Sequence, residues 1–203
     1  MIQQRKPTAE RKEDILDAAA KLMAREGIAA LTMATLAKEV GVTSGALFRH
    51  FDTRDAILVA LAERTAEQLR ADLVADSALD AREALRAFVS ARLGTVSRAP
   101  SAPLMVLSPD VHLALPEKGR EALASIVRDT FAFVAKLVAK GQREGVFRSD
   151  LSAQAAAGVV LGALALRAVQ RVITPRPAME EHPADVLVTL LSTTPTKKGA
   201  KSE

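Results

Sequence analysis

Cysteine is absent from the sequence, and so are tryptophan and tyrosine. Without cysteine there are no disulfides and no thiolate metal sites, a pattern at home in a reducing cytoplasm. Only three histidines occur, His50, His112 and His182, far apart along the chain. With no phosphate-cradling glycine loop, no recognisable nucleophile and no metal-ligand spacing, the residues point away from an enzyme, a metal centre or a cofactor site. The first 25 residues open with charge and stay amphipathic, so no secretory signal is expected. No stretch shows the alternation of a β-strand. The expectation is a soluble, cytoplasmic, all-α protein.

What is present is aliphatic and basic. A hydrophobic share of 49% over 203 residues suffices for one good core or two small ones. The formal charge of +4 suggests a nucleic-acid footprint, but it resides at the ends. Residues 1–12 carry Arg5, Lys6, Arg11 and Lys12 against Glu10, and 195–203 carry Lys197, Lys198 and Lys201 against Glu203, leaving the body near neutral. The N-terminal arm suits phosphates or a minor groove. The tail 194–203 reads as disordered solubilising sequence.

The informative stretch is TMATLAKEVGVTSGALFRHFDTR, from Thr32 to Arg54. Leu36, Ala37 and Val40 share one face of a two-turn helix at 33–40. Gly41 stops it as a C-cap, and Val42 turns back into the core. Thr43 or Ser44 then caps a second short helix, 45–51, with Leu47 and Phe51 facing inward. Two helices joined by such a turn form a helix-turn-helix, whose second member stands out far enough to enter a DNA major groove. Thr43, Ser44, Gly45 and Ala46 are small enough for close approach. Arg49 suits a guanine edge and Phe48 a thymine methyl. Thr32, Thr43, His50 and Arg54 sit at helix ends, where their side chains suit phosphate oxygens.

Residues 8–64 resemble the DNA-binding domain of the TetR family of bacterial transcriptional regulators. The resemblance rests on Gly27, Thr32, Leu36, Ala37, Gly41, Val42, Gly45, Leu47, Phe48, His50, Phe51, Arg54 and Leu58 at fixed spacing. The chain departs from the family pattern at Phe48, usually Tyr, and at Arg54, usually Lys. Losing the phenol removes a phosphate hydrogen bond worth ~1 kcal/mol, so Phe48 has no polar contact to offer phosphate.

Ahead of this stretch, Ile15, Leu16, Ala19, Leu22 and Met23 recur at helical spacing over 8–26, with Gly27 as the stop; Lys21 and Arg25 read as a solvated face. Beyond it, amphipathic helices are expected at 55–75, 82–97 and 117–143. Segment 104–116, interrupted by Pro109, is a short or broken helix. Residues 141–152 make a turn, with Gly145 as a stop and Ser149 or Asp150 as the next cap. Stretch 151–166 is charge-free and rich in alanine, with Gly158 and Gly162 permitting close approach. It is too short for a membrane span of ~20 residues and must be covered by protein. A last helix is expected at 183–192, carrying Val186, Leu187, Leu190 and Leu191.

About nine helices in all are therefore expected, in a helix-turn-helix domain at 1–54, a helical body at 55–193 and the tail. The resemblance implies that 151–166 and the last helix, through Gly158, Gly162, Leu166, Val186 and Leu190, form a four-helix interface with a second subunit. A two-fold pair of reading heads implies a near-palindromic operator, with half-sites about 34–36 Å apart. The resemblance, not the residue pattern, implies a small-molecule effector among the helices of 55–145; repression is the default because nothing here looks like a dedicated polymerase contact.

Phe88, Arg92, Met105, His112, Thr130 and Phe131 are the effector-lining candidates. Each has a plainer reading: Phe88 and Phe131 as core, Arg92 as a snorkelling surface residue, His112 as a structural or surface histidine. With 3% aromatics, an aliphatic or small amphipathic effector fits better than a large planar one. The alternative function is a helical interaction or architectural DNA-binding protein without effector control.

Overall fold

The computed structural model describes residues 8–173 and 182–193; most of the basic arm and the whole of the basic tail lie outside them. Among the described residues there are ten α-helices and one 3-10 turn, with no strand beyond a single isolated bridge. In chain order the helices are α1 (Thr8–Glu26), α2 (Met33–Val40), α3 (Ser44–Phe48), α4 (Arg54–Arg70), α5 (Ala81–Arg98), α6 (Ala102–Leu107), α7 (Pro109–Ala114), α8 (Glu117–Arg143), α9 (Ala153–Ile173) and α10 (Pro183–Leu191). The 3-10 turn is Ile28–Ala30. The count exceeds nine because Ser108 is extended, and Pro109 starts a new helix where the sequence allowed one broken one.

Packing divides the chain into two compact units, Met1–Asp72 with Gly94–Asp129, and Leu73–Leu93 with Thr130–Glu203. In the first, Ile15, Leu16, Ala19, Leu22 and Met23 of α1 meet Leu36, Ala37, Leu47, Phe51, Ile57, Leu58 and Leu61 in one buried cluster. Met105, Val111, Leu115 and Leu123 belong to the same cluster. α6 packs on α4, and α7 packs on the 3-10 turn.

Helix α4 stops five residues earlier than its periodicity suggests, and it ends inside the first unit. Asp72 and Asp76 are unfavourable beside the negative end of a helix, and the Asp72 carboxylate instead accepts a 2.7 Å bond from the Thr95 hydroxyl. The helix expected through residue 75 therefore ends at Arg70.

The second unit has its own core of Leu85, Phe88, Val89, Val134, Val138, Phe147, Ala156, Ala157, Val160, Leu187 and Leu191. The α8–α9 turn is closed against the end of α10. Arg148 N–H donates to Leu191 O at 2.8 Å, Thr193 N–H to Val146 O at 3.3 Å, and Arg82 bonds both Val146 O and the Ser192 hydroxyl. Phe147 fills the space over Gly141 so closely that a methyl group there would lie 2.1 Å from its ring. Helix α9 is capped by Ser152, whose hydroxyl accepts from Ala155 N–H at 3.1 Å, whereas Asp150 is taken up by Arg148. That interaction, hydrogen bond first and charge second, holds the Asp150 carboxyl below its usual range.

At 21 residues α9 also runs longer than its charge-free stretch. By length and composition Ala153–Gln170 is apolar enough to cross a membrane, but the core helix of a soluble protein passes the same test. Its inward residues are Ala153, Ala156, Ala157, Val160, Leu164 and Ala168. Its outward ones are Ala155, Gly158, Val159, Gly162 and Leu166, which repeat every three to four residues and make one uncharged stripe.

Candidate nucleic-acid interface

The reading head is built by three threonines at three helix starts. Thr32 caps α2 and Thr43 caps α3, settling the choice between Thr43 and Ser44, while Thr53 caps α4. Gly41 adopts φ 73°, the left-handed conformation that lets the chain leave α2 and re-enter a helix within three residues. Val42 N–H closes on Ala37 O at 2.9 Å, and Leu47 locks α3 to the core at 0% exposure. Ser44, Gly45, Phe48 and Arg49 are left outward, with Ala46 half-buried. Phe48 is 46% exposed, a large apolar ring at the surface. His50 is half-buried, and its Nδ1 is enclosed without a hydrogen-bond partner.

Two of the expected phosphate-facing residues are engaged elsewhere. The Thr32 hydroxyl accepts from Thr35 N–H at 3.1 Å and lies 2.9 Å from the Thr35 hydroxyl. Thr35 has a single hydroxyl proton and lies 2.6 Å from Ala30 O, an acceptor only, so Thr32 is the donor in the hydroxyl pair. Its proton is thus used within the protein, whereas Thr43 accepts one bond from Ala46 N–H at 3.2 Å and keeps its proton. Arg54 is half-buried, with Nε donating to Leu31 O at 2.6 Å and Nη2 to Ile28 O at 3.1 Å.

Sequence reasoning missed Thr35, which completes a capping box with Thr32 in the position usually held by glutamate or glutamine. Arg25 is on a solvated face, as expected, but its partner there was not foreseen. Arg25 spans from α1 to α2, its two terminal nitrogens on the two Glu39 oxygens at 3.1 and 3.0 Å. These hydrogen bonds, more than charge alone, hold the Glu39 carboxyl below its usual range. Outward from this pair, Arg11, Asp14, Asp17, Lys21 and Glu39 rim a shallow depression of about 260 Å³, polar and of mixed charge. Among the described residues no group of three or more histidine, aspartate or glutamate side chains could hold a metal.

The six effector-lining candidates fall into both units. In the second, Arg92 is 9% exposed, its Nη2 donates to the Thr130 hydroxyl at 3.3 Å, and its guanidinium lies 5.5 Å from the Phe88 ring. Arg92 is therefore a buried residue and not a snorkelling surface one. Phe88 is core, as the plain reading has it, but Phe131 is 38% exposed because it falls on the outward side of α8. In the first unit Met105 is wholly buried, and His112 Nε2 lies 3.0 Å from Val106 O, a local structural bond.

Residues 15–61 match the family model described as bacterial regulatory proteins, tetR family. That segment belongs to the TetR family. Family and relatives are transcriptional regulators, not enzymes. The HTH-type transcriptional repressor KstR2 of Rhodococcus jostii RHA1 is 28% identical over 149 residues, 72% of each chain. The nucleoid occlusion factor SlmA of Vibrio campbellii is 38% identical over 79 residues, 37% of this chain and 40% of that protein. Among solved structures, the ketosteroid regulator KstR2 of Mycobacterium tuberculosis superposes with a TM-score of 0.75 at 20% identity, over 91% of this chain and 96% of that one. MbdR from Azoarcus sp. CIB gives 0.76 at 23%, over 92% and 97%. These likenesses carry the TetR fold through both units, well beyond the segment that the family model matches.

Proposed function

We propose that this TetR-family regulator is a cytoplasmic repressor that binds a near-palindromic operator as a homodimer and leaves it when a small molecule binds. The observation that carries the reading is a pair of outward surfaces. One is the exposed start of α3 with Thr43, Ser44, Gly45, Ala46, Phe48, Arg49 and His50. The other is the uncharged stripe on α9, together with the exposed Leu190 of α10. Apart from the Thr43 cap, neither is needed by the fold of the unit that bears it. A methyl group on Gly45, Gly158 or Gly162 would meet nothing within 4 Å, and Val159, Leu166 and Leu190 are about 60% exposed.

The α9 stripe, with Val186 half-buried on α10, supports a four-helix interface with a second copy. A two-fold pair then reads two half-sites, which one five-residue helix with few base contacts does not do tightly. Repression is supported by the name of the R. jostii relative. The M. tuberculosis neighbour is described as a ketosteroid regulator, which with the low aromatic content here supports a mainly aliphatic effector. To release DNA, that effector must bind one arrangement of the paired heads better than the other.

The similarity to SlmA favours a second reading, an architectural DNA-binding role without effector control. Selection of bound sequences from a random duplex pool tests both. An inverted repeat bound ~10³-fold over random duplex supports the repressor. Uniform, salt-sensitive binding supports the alternative, and no binding refutes both.

A further inference from the structure

We infer that Arg54 is a positioning residue, holding the 3-10 turn Ile28–Ala30 so that the start of α2 is presented to DNA, and is not itself a phosphate contact. The inference rests on the operator-binding reading above and assigns how one part of that site is kept in place.

The link from α1 to α2 is short, and the hydrogen bonds show what satisfies the carbonyl groups of Ile28, Ala30 and Leu31. Ile28 O accepts from Leu31 N–H at 3.2 Å and from Arg54 Nη2. Ala30 O accepts from Thr32 N–H at 3.0 Å and from the Thr35 hydroxyl. Leu31 O accepts from Arg54 Nε. Two side chains, Arg54 from the first turn of α4 and Thr35 from the first turn of α2, therefore complete the acceptors of the turn. Charge-assisted bonds to carbonyls are about twice as strong as neutral ones, so the guanidinium is the stronger of the two fastenings.

Only a guanidinium does this. Its planar fork carries Nε–H and Nη–H on one edge, matching two carbonyls three residues apart, whereas an ammonium is a single point of charge on a flexible stem. The same geometry explains why this chain has Arg where the family pattern usually has Lys. Positioning matters because Thr32, directly after the turn, sets the start of α2, and the first amides of a helix lack intrahelical partners and suit phosphate. A turn that shifts carries that helix start with it.

The experiment uses the full-length chain and an operator from the selection above, with Arg54→Lys, Arg54→Ala, Thr35→Val and the Arg54→Lys/Thr35→Val double variant. Affinities are measured over a range of salt, at a temperature where circular dichroism shows wild-type helicity for each protein. Positioning predicts that Arg54→Lys, with its charge intact, binds about ten-fold more weakly with an unchanged salt slope. Thr35→Val, which removes no charge, behaves alike. The double variant loses at least three-fold less than the product of the two single losses, because both remove one fastening.

A direct phosphate contact predicts instead that Arg54→Lys binds like wild type while Arg54→Ala loses about one unit of salt slope, and that result overturns the inference. So does wild-type affinity in Arg54→Lys with only a lowered melting temperature. Absence of sequence preference in the wild type is a different failure, that of the operator-binding reading itself.

Discussion

Val159→Asp is expected to separate the subunits while leaving each one folded. Val159, Leu166 and Leu190 are 59%, 59% and 60% exposed in the single chain. Burying such a side chain fully is worth about 1.5–3 kcal/mol, so covering the exposed part gives about 1–2 kcal/mol each. In a two-fold interface every residue counts twice, and these three together supply on the order of 6–12 kcal/mol before the cost of association. Aspartate at 159 removes two of those contributions and sets two carboxylates into an apolar contact, a loss of about 3–5 kcal/mol. The dimer dissociation constant should therefore rise ~10²-fold or more. Sedimentation equilibrium over a concentration series reads this directly. Circular dichroism should show unchanged helicity, because the outward face of α9 contributes nothing to the core of its own unit. Binding to a full operator should fall, with binding to a single half-site little changed. An aspartate variant with the wild-type dimer constant would refute the assignment of the stripe as the subunit interface.

Three further outcomes follow from described contacts. Gly141→Ala should destabilise the protein by about 1–3 kcal/mol, because the new methyl meets the Phe147 ring and the α8–α9 turn must move. Thermal unfolding at two ligand-free protein concentrations separates this from dimer dissociation. Glu39→Gln should flatten the acid side of the stability profile. The Arg25 hydrogen bonds lower the folded-state pKa of Glu39 below its unfolded value, so the stabilisation is present above that value and disappears as pH falls through the folded one. Denaturant midpoints between pH 7 and pH 3 should fall for the wild type by more than for the variant. Arg49→Ala should cost about 1–3 kcal/mol at one position of each half-site and relax the base preference there, a change visible by repeating the selection. Equal losses on every sequence would place Arg49 on the phosphates instead.

The helix-turn-helix was legible because its signals are local. Periodicity fixes α1 and α2, Gly41 marks the stop, and a threonine marks each start, so these elements lie close to where the residues put them. The interruption of α4 at Arg70 was less visible, since Leu69 and Leu73 keep the helical spacing that Asp72 then defeats. Side-chain networks were not legible at all. Arg25 and Arg54 look alike in a sequence, as cations beside helix ends, yet one clamps a carboxylate and the other a pair of carbonyls. Arg92 sits beside an apolar stripe in a position that serves a surface residue equally well, and only the packing of its neighbours decides that it is covered. The division into compact units was hidden for the same reason. It depends on residues more than forty positions beyond the reading head returning to complete its core.

That return limits how the molecule can be cut. Met105, Val111, Leu115 and Leu123 fill the same cluster as Leu16, Leu47 and Leu58, so a fragment ending after α4 would carry one bare side where those four belong. Anyone grafting this head onto another regulator's sensor would have to transplant the stretch from Gly94 to Asp129 along with it. Evolution faces the same rule: substitutions in α6 and α7 are screened by how they seat beneath the head.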